Sequence, residues 1–280
     1  MRISFWGVRG STAVSGAQYA RYGGATSCIT LGRDGSLPTM VLDAGTGLMN
    51  LARSLGAQPF AGTVLLTHLH WDHMQGIPFF FAADREDAAV QVAVPGPDDG
   101  QSAVDLLGRI MNPPFFPIAP QQLRGDWRFD LVESGAHTYG PWIVTSLDIP
   151  HGGGRTFGFR ISDGFTSVAY LPDHRPTALG PGDDGFGELH PAALELAADV
   201  DVLIHGAPYT GAELERADEY GHSTIPYALN LAERCGVKRL VLTHHAPLRT
   251  DDELDHLATL LRPMAMPVSF AYEGMILDVA

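Results

Sequence analysis

Short apolar runs recur along the chain, each rich in Val, Ile, Leu and Thr and each bounded by Gly, Pro or Asp. Runs of this length and composition are typical of β-strands with at least one buried face. The pattern predicts strands at Arg2–Trp6, Ser27–Leu31, Thr39–Leu42, Thr63–Leu66, Val90–Val94, Trp142–Ile149, Thr156–Ile161, Thr166–Leu171, Asp201–Ile204, Arg239–Leu242 and Met275–Val279.

Longer segments with apolar residues at helical spacing lie between these runs and predict helices. They are Gly47–Leu55, Ser102–Met111, Pro191–Ala198, Thr224–Cys235 and Asp251–Leu261. No low-complexity linker divides the chain, so residues 1–280 are expected to form one layered α/β domain.

Composition and charge narrow the function classes. Of 280 residues, 45% are hydrophobic and 18% are charged, which is typical of a folded globular protein. The net charge of −14 argues against a general basic surface for nucleic acid. We expect a cytoplasmic protein without membrane spans or a disulfide framework, and a homodimer is possible.

One apolar, proline-rich stretch, Asn112–Pro120, cannot form a helix interior or a central strand. It is interpreted first as a surface loop packed by its own aromatic side chains. The alternative is a wall or lid over a pocket.

Histidine is unusually frequent, with 12 residues, and the strongest motif is Thr67-His-Leu-His-Trp-Asp-His73. It directly follows an apolar strand, and burying its unpaired polar side chains would cost several kcal/mol. Imidazole with carboxylate suits Zn, Mn or Fe. In an extended loop His68 and His70 point the same way and can hold one ion, while Asp72 and His73 can face a second. An exposed polar loop is the alternative interpretation.

Further candidate ligands follow other predicted strands. His151 stands before three glycines, Asp173 follows Val168–Pro172, and His244 ends the run that begins at Leu240. Side chains at strand ends can converge on one edge of a sheet, so a dinuclear metal site is predicted there.

This order of motifs, His-x-His-x-Asp-His followed by a distant His, Asp and His, resembles the metallo-β-lactamase superfamily over nearly the whole chain. The resemblance implies a four-layer αββα sandwich with a dinuclear site at one edge. It implies that Asp173 bridges two divalent ions, zinc first and manganese or iron as alternatives. The implied terminal ligands are His68, His70 and His151 for the first ion, and Asp72, His73 and His244 for the second.

The branch is indicated by other residues. True β-lactamases of this superfamily commonly carry Cys where this chain has Asp173, and flavodiiron proteins carry Glu at the position of His70. The motif Gly221-His-Ser-Thr224 is similar to that of ribonuclease Z and PhnP-like phosphodiesterases. The resemblance gives His222 the task of binding phosphate and protonating the leaving oxygen, with Ser223 as the helix N-cap. Asp72, Asp173 and His222 are therefore the expected catalytic residues.

Two further N-terminal features have expected roles. Asp43 resembles the family's first motif, a carboxylate that braces the metal loop without binding the ion. Arg9 and Ser11 lie in a Gly-rich turn, where an exposed Arg is the first interpretation and substrate contact the alternative.

The chain departs from ribonuclease Z in one motif. Gly206 stands where that family has a carboxylate, which puts the acid relay to His222 in doubt, and Glu219 is a speculative substitute. A basic arm for tRNA is not evident either. These departures favour a small-molecule partner, a small or cyclic phosphodiester, over tRNA.

Three enzymatic functions remain open from the sequence. The first is hydrolysis of a phosphodiester by a dinuclear metal site. The second is hydrolysis of a lactone or thioester, as in lactonases and glyoxalase II, with less need for His222. The third is a mononuclear iron dioxygenase that uses His68, His70 and His151. A non-catalytic scaffold is the fourth alternative, but the chain keeps all the expected ligands.

Overall fold

The computed structural model describes residues 1–33, 35–97 and 99–280. The strands are β1 Arg2–Gly7, β2 Cys28–Gly32, β3 Met40–Leu42, β4 Ala61–Leu65, β5 Ala89–Pro95, β6 Asp126–Val132, β7 Gly135–Tyr139, β8 Trp142–Asp148, β9 Phe157–Ser162, β10 Ser167–Leu171, β11 Val202–Gly206, β12 Leu240–Thr243, β13 Val268–Phe270 and β14 Ile276–Asp278. The α-helices are α1 Leu48–Leu55, α2 Trp71–Met74, α3 Ala103–Gly108, α4 Pro191–Ala197, α5 Leu214–Glu219, α6 Ile225–Arg234 and α7 Asp251–Leu260. Short 3₁₀ segments lie at Ala17–Tyr19, Ile77–Phe79, Pro120–Gln122, Pro176–Leu179 and Gly211–Glu213.

Two seven-stranded mixed sheets form the centre of the fold. Their orders are β14-β1-β2-β3-β4-β5-β6 and β13-β12-β11-β10-β9-β8-β7. Side chains from both sheets, among them Phe5, Trp142 and Tyr170, form the core between them. Layers of helices cover the outer faces, with α1 and α3 on the first sheet and α4, α6 and α7 on the second. The predicted αββα sandwich is confirmed, whereas one domain over residues 1–280 stays a prediction.

The direction of the strands decides where the candidate ligands lie. Strands β10, β11, β12 and β13 run parallel, and β9 runs antiparallel to both β8 and β10. Strands β8, β10 and β12 therefore end at the same edge of the second sheet. In the first sheet β3 and β4 run parallel, so the segments that follow them also lie together.

Three strands and two short helices escape the sequence pattern. Strands β6, β7 and β13 lie at the sheet edges. Exposed polar residues interrupt the apolar run in β6 and β7, and β13 has only three residues. Helices α2 and α5 have only four and six residues, too few to show a helical period.

The proline-rich stretch Asn112–Pro120 packs on the outer face of the first sheet. Phe116 meets Phe79 edge to face with ring centroids 5.7 Å apart, and Ile118 packs against the core beneath. Among the described residues, the loop therefore packs on Phe79 and on the core, and not through contacts among its own aromatic side chains. Within the described ranges, no helix combines the length and apolar character that crossing a bilayer requires.

Candidate metal centre

The loop after β4 delivers four of the candidate ligands. Thr67 to His70 run from the strand end into α2, and His70 is the extended residue that precedes this helix. Asp72 and His73 fall in its first turn and are buried. The change from extended loop to helix turns the two pairs of side chains in different directions, as the sequence predicted.

A first group of donors gathers His68, His70, His151 and Asp173. The Nε2 atom of His151 lies 3.2 Å from Nδ1 of His70 and 3.3 Å from Oδ2 of Asp173. The Nε2 atom of His68 lies 3.5 Å from the same carboxylate oxygen. Four donor atoms within 4.8 Å of one another can enclose a single ion.

A second group lies on the other side of Asp173 and contains Asp72, His73 and His244. The Nε2 atom of His73 lies 3.2 Å from Asp72 Oδ2 and 3.2 Å from His244 Nε2. The other carboxylate oxygen of Asp173, Oδ1, is 3.0 Å from His244 Nε2 and 3.5 Å from His73 Nε2. Asp173 thus presents one oxygen to each group, the placement that a bridging carboxylate requires.

Unpartnered atoms at this centre show that the residues fit a metal. Within the described part of the chain, His68 Nε2 and Asp173 Oδ1 are buried without a hydrogen-bond partner. Buried polar atoms of native proteins are otherwise almost always paired, because an unpaired group costs about 1–3 kcal/mol. Imidazole nitrogen and carboxylate oxygen are the ligands of zinc and its neighbours, so a divalent cation satisfies these atoms.

Hydrogen bonds to the outer ring nitrogens aim two imidazoles inward. The Nδ1 atom of His151 lies 2.6 Å from the carbonyl oxygen of Gly221, and Nδ1 of His73 lies 2.7 Å from Asp43 Oδ2. These oxygens only accept, so Nδ1 carries the proton in both rings. The lone pair of Nε2 is then free for an ion.

The carboxylate of Asp43 is the centre of a buried network beneath the metal loop. It accepts from the Thr67 amide at 2.8 Å and from the Tyr170 hydroxyl at 2.8 Å, and it holds His73. Asp43 belongs to neither donor group, as its predicted bracing role requires. Sequence reasoning missed Thr67 and Tyr170, because the contact of Tyr170 crosses between the sheets.

Burial and neighbouring charges shift the pKa values of the candidate ligands in different directions. Burial would raise the pKa of Asp173, but His244 and His73 outweigh it and hold that pKa well below its usual range. Burial lowers the pKa of His68, and neighbouring His73 lowers it further. Burial would also lower the pKa of His73, but Asp72, Asp173 and Asp43 outweigh it and raise that pKa well above its usual value. A cation between these carboxylates would take over the role of the proton on His73.

Comparison with known proteins identifies the family. The model of the β-lactamase superfamily domain matches residues 39–245, which contain every candidate ligand named above. The chain belongs to the metallo-β-lactamase superfamily.

A ribonuclease Z is among the similar proteins of this superfamily, and two solved structures share the fold. A ribonuclease Z of Geobacillus kaustophilus is 49% identical over 218 residues, covering 65% of this chain and 69% of the relative. The metallo-β-lactamase fold protein YhfI of Bacillus subtilis superposes with a TM-score of 0.73 at 18% identity, over 99% of both chains. A diphosphatase of the PhnP family gives 0.68 at 17% identity, over 100% of this chain and 98% of its own. The predicted relation to ribonuclease Z is confirmed, and the PhnP-family structure shares the fold.

His222 lies two residues before the N-cap of α6 and is buried beside both donor groups. Its Nδ1 atom is 4.0 Å from Asp173 Oδ2, and its ring packs 5.1 Å from that of His151 and 5.0 Å from that of His244. Burial lowers the pKa of His222 to about 3, so the ring is neutral in the metal-free protein at pH 7. A phosphodiester anion beside it would favour the protonated form.

The prediction that Ser223 caps α6 is wrong. Thr224 is the N-cap, since its side chain accepts from the amide of Tyr227. The Ser223 hydroxyl instead donates to the carbonyl oxygen of Gly206 at 2.6 Å and ties the segment of His222 to the end of β11. Ser and Thr are both preferred N-cap residues, so the sequence does not tell which of the two adjacent positions is the cap. The backbone angles and the side-chain hydrogen bond do.

The structure explains the glycine where ribonuclease Z relatives carry an acid. A Cβ atom at Gly206 would lie 1.6 Å from the carbonyl oxygen of Pro172, so no side chain fits there in this backbone. Glu219, the speculative substitute, is exposed at the end of α5. Neither position therefore supplies a carboxylate to His222, whose Nδ1 has no hydrogen-bond partner among the described residues.

The N-terminal turn contains one correction and one contact that the sequence did not reveal. Arg9 is fully buried, not exposed, and donates to the carbonyl oxygens of Gly23 and Arg249 at 2.7 and 2.6 Å. The residue is structural, because its buried guanidinium binds backbone carbonyl groups and lies 3.7 Å from the buried carboxylate of Asp251. The amide of Ser11 donates to Asp72 Oδ2 at 2.7 Å, which fixes that candidate ligand from outside.

Proposed function

We propose that this member of the metallo-β-lactamase superfamily is a dinuclear, metal-dependent phosphodiesterase that acts on a small or cyclic phosphodiester. The observation that carries the proposal is the buried His222, which stands beside Asp173 and between the rings of His151 and His244. Hydrolysis of a lactone or thioester makes less demand on an imidazole acid at this position. The relative named ribonuclease Z, 49% identical to this chain, supports a phosphodiester as the bond.

In this proposal each donor group holds one divalent ion, zinc first and manganese or iron as alternatives. His68, His70 and His151 bind the first ion, Asp72, His73 and His244 bind the second, and Asp173 lies between them. Divalent ions at such a pair of sites supply Lewis-acid activation of water and of the phosphate oxygens.

The chain's own residues have distinct tasks at this centre. Asp72 and Asp173 hold the negative charge that fixes the cations, and the Ser11 amide keeps Asp72 in place. His222 donates a proton to the oxygen of the leaving group. The start of α6, whose N-cap lies two residues after His222, favours the negative charge of a bound phosphate.

The proposed substrate is small because the chain as a whole is acidic, with a net charge of −14. Long RNA binds chiefly through neutralised phosphates, which this composition does not favour. RNA is the second candidate substrate, and the 49% identity to a ribonuclease Z favours it. The small or cyclic diester remains our proposal, since it makes the smaller demand on basic surface.

The test is turnover by protein loaded separately with Zn, Mn and Fe. We expect bis(p-nitrophenyl) phosphate to be hydrolysed. We expect His222→Ala to lose about 10²-fold or more in kcat on a cyclic nucleotide, whose alkoxide leaving group needs a proton, with its metal content unchanged. Strong turnover of lactones or thioesters with little effect of His222→Ala would replace the proposal by a carbonyl hydrolase. One bound iron with oxygen uptake would replace it by a dioxygenase.

Substrate length is tested separately with the same loaded protein. A cyclic nucleotide should be opened faster than a tRNA precursor is cleaved. Faster cleavage of the precursor would assign RNA as the substrate.

A further inference from the structure

A cavity of about 420 Å³ opens beside the first donor group. His68 and His70 form one end of it, and the three glycines after His151 form part of its rim. Its volume lies at the low end of small-molecule pockets, enough for one organic group and too small for a polymer. Any molecule that reaches the first donor group from this side must place a substituent here. We call this space the arm pocket.

The walls of the arm pocket are apolar near the metal ligands. Leu69 and Met74 come from the metal loop and α2, while Leu106 and Ile110 come from α3 and the residues after it. Burying a flat or compact apolar group against such walls stabilises the complex by about 25 cal/mol for each Å² of apolar surface removed from water. The inner part of the pocket therefore favours a ring over a hydrated polar chain.

Two arginines line the pocket, Arg109 and Arg155, and they differ in whether a carboxylate of the described residues pairs with them. Arg155 is held by carboxylates, with its guanidinium 2.7 Å from Asp148 and 2.6 Å from Glu133. Arg109 follows α3, is exposed, and donates to the amide oxygen of Gln101. Among the described residues no carboxylate pairs with Arg109, so its charge is free for a ligand.

A carboxylate also stands at the outer rim and opposes any anion there. Asp99 lines the pocket and accepts from the amide nitrogen of Gln101. Gln101 thus lies between Asp99 and Arg109 and keeps the guanidinium from pairing with that carboxylate. The anion would have to approach from the side of Arg109.

We propose that the arm pocket binds one ester arm of the substrate, a ring-bearing organic group whose far end carries an anion paired with Arg109. This inference rests on the proposed phosphodiesterase function, and it adds the class of the substrate. A nucleotide arm with a second, distal phosphate has this chemistry: a ring for the apolar walls and a charge for the guanidinium.

Binding tests the pocket without any turnover. The probes are thymidine 5′-phosphate and thymidine 3′,5′-bisphosphate, titrated calorimetrically into metal-loaded protein. We expect the bisphosphate to bind more tightly and Arg109→Ala to abolish that preference, a change of about 3- to 5-fold in Kd. Arg109→Lys should keep most of the preference, and Asp99→Asn should increase it. Equal binding of both probes, or a preference that survives Arg109→Ala, would overturn the distal anion.

Turnover separates this inference from the proposed function. The substrates are methyl p-nitrophenyl phosphate and the p-nitrophenyl ester of thymidine 5′-phosphate. Ile110→Trp should fill the pocket, raising KM for the thymidine ester about tenfold and leaving the methyl ester unchanged. If both esters respond equally, the arm pocket is wrong while phosphodiesterase activity stands. If no phosphodiester is hydrolysed with any metal, the proposed function fails. The calorimetric comparison of the bisphosphate with the monophosphate then still tests whether the arm pocket binds a distal anion.

Discussion

Replacing Asp43 by Asn should remove one metal ion while leaving the shape of the centre intact. The amide of Thr67 can only donate, so the Asn side chain must turn its oxygen toward it, as Asp43 does at 2.8 Å. The NH₂ group then takes the position of Oδ2, which faces Nδ1 of His73 at 2.7 Å. That nitrogen must now accept, so the proton of the neutral ring moves to Nε2.

The second donor group then loses His73 as a ligand. Nε2 of His73 faces Asp72 and His244 at 3.2 Å, and once protonated it cannot bind an ion. Loss of a partner of this kind typically costs 10- to 100-fold in metal affinity, and here the tautomer itself is wrong, so we expect at least about 100-fold. The first group reaches Asp43 only through the Thr67 hydroxyl, which still finds the Asn oxygen as acceptor, so this group should keep its ion.

The assay is metal content after dialysis against graded zinc activities, together with urea unfolding of the metal-free form. Asp43→Asn should hold one ion per chain where the parent protein holds two, and lose about 1–3 kcal/mol of stability because Tyr170 and His73 no longer have a carboxylate acceptor. Tyr170→Phe is the matched control, since it removes one donor to Asp43 and leaves the tautomer of His73 unchanged. Two tightly bound ions in Asp43→Asn would refute the role of Asp43.

Three further predictions follow from buried contacts. Gly206→Ala should lose both metal binding and more than about 2 kcal/mol of stability, because its Cβ would lie 1.6 Å from the carbonyl oxygen of Pro172, the residue before Asp173. The control in the same unfolding and metal assays is Gly108→Ala, since a Cβ at Gly108 meets open space. Arg9→Met should cost about 3 kcal/mol in urea unfolding, since it leaves buried carbonyl groups unpaired, and a cost under about 1 kcal/mol would contradict a structural Arg9. Chelation should lower Tm, and readdition of zinc should restore it; an unchanged Tm would argue against ions in the folded state.

The candidate ligands could be predicted because their signal is local. A compact run of His and Asp after an apolar strand, followed by single residues after other strands, already places the donors at one sheet edge. Because these strands run parallel, the residues that follow them lie at the same edge of the sheet. The strand direction follows from the chain order of the αββα fold. Residues such as Asp173 need no long-range information beyond the end of their own strand.

The remaining features depend on contacts that a single sequence does not show. Arg9 was expected on the surface because Arg usually is, and its burial depends on carbonyl groups of Gly23 and Arg249 that fold around it. The small volume left at Gly206 depends on the path of Pro172. Strands at the sheet edges, such as β7, are half-exposed, so their polar residues hide the alternation.

The most direct measurement is a titration of metal-free protein with zinc or manganese, in which bound ions per chain and hydrolysis of bis(p-nitrophenyl) phosphate are followed together. The account predicts two bound ions per chain, with turnover rising as the second ion binds, and it predicts that Asp173→Ala abolishes binding of the pair. Full turnover with one ion, or two ions and full activity in Asp173→Ala, would contradict a dinuclear phosphodiesterase bridged by Asp173.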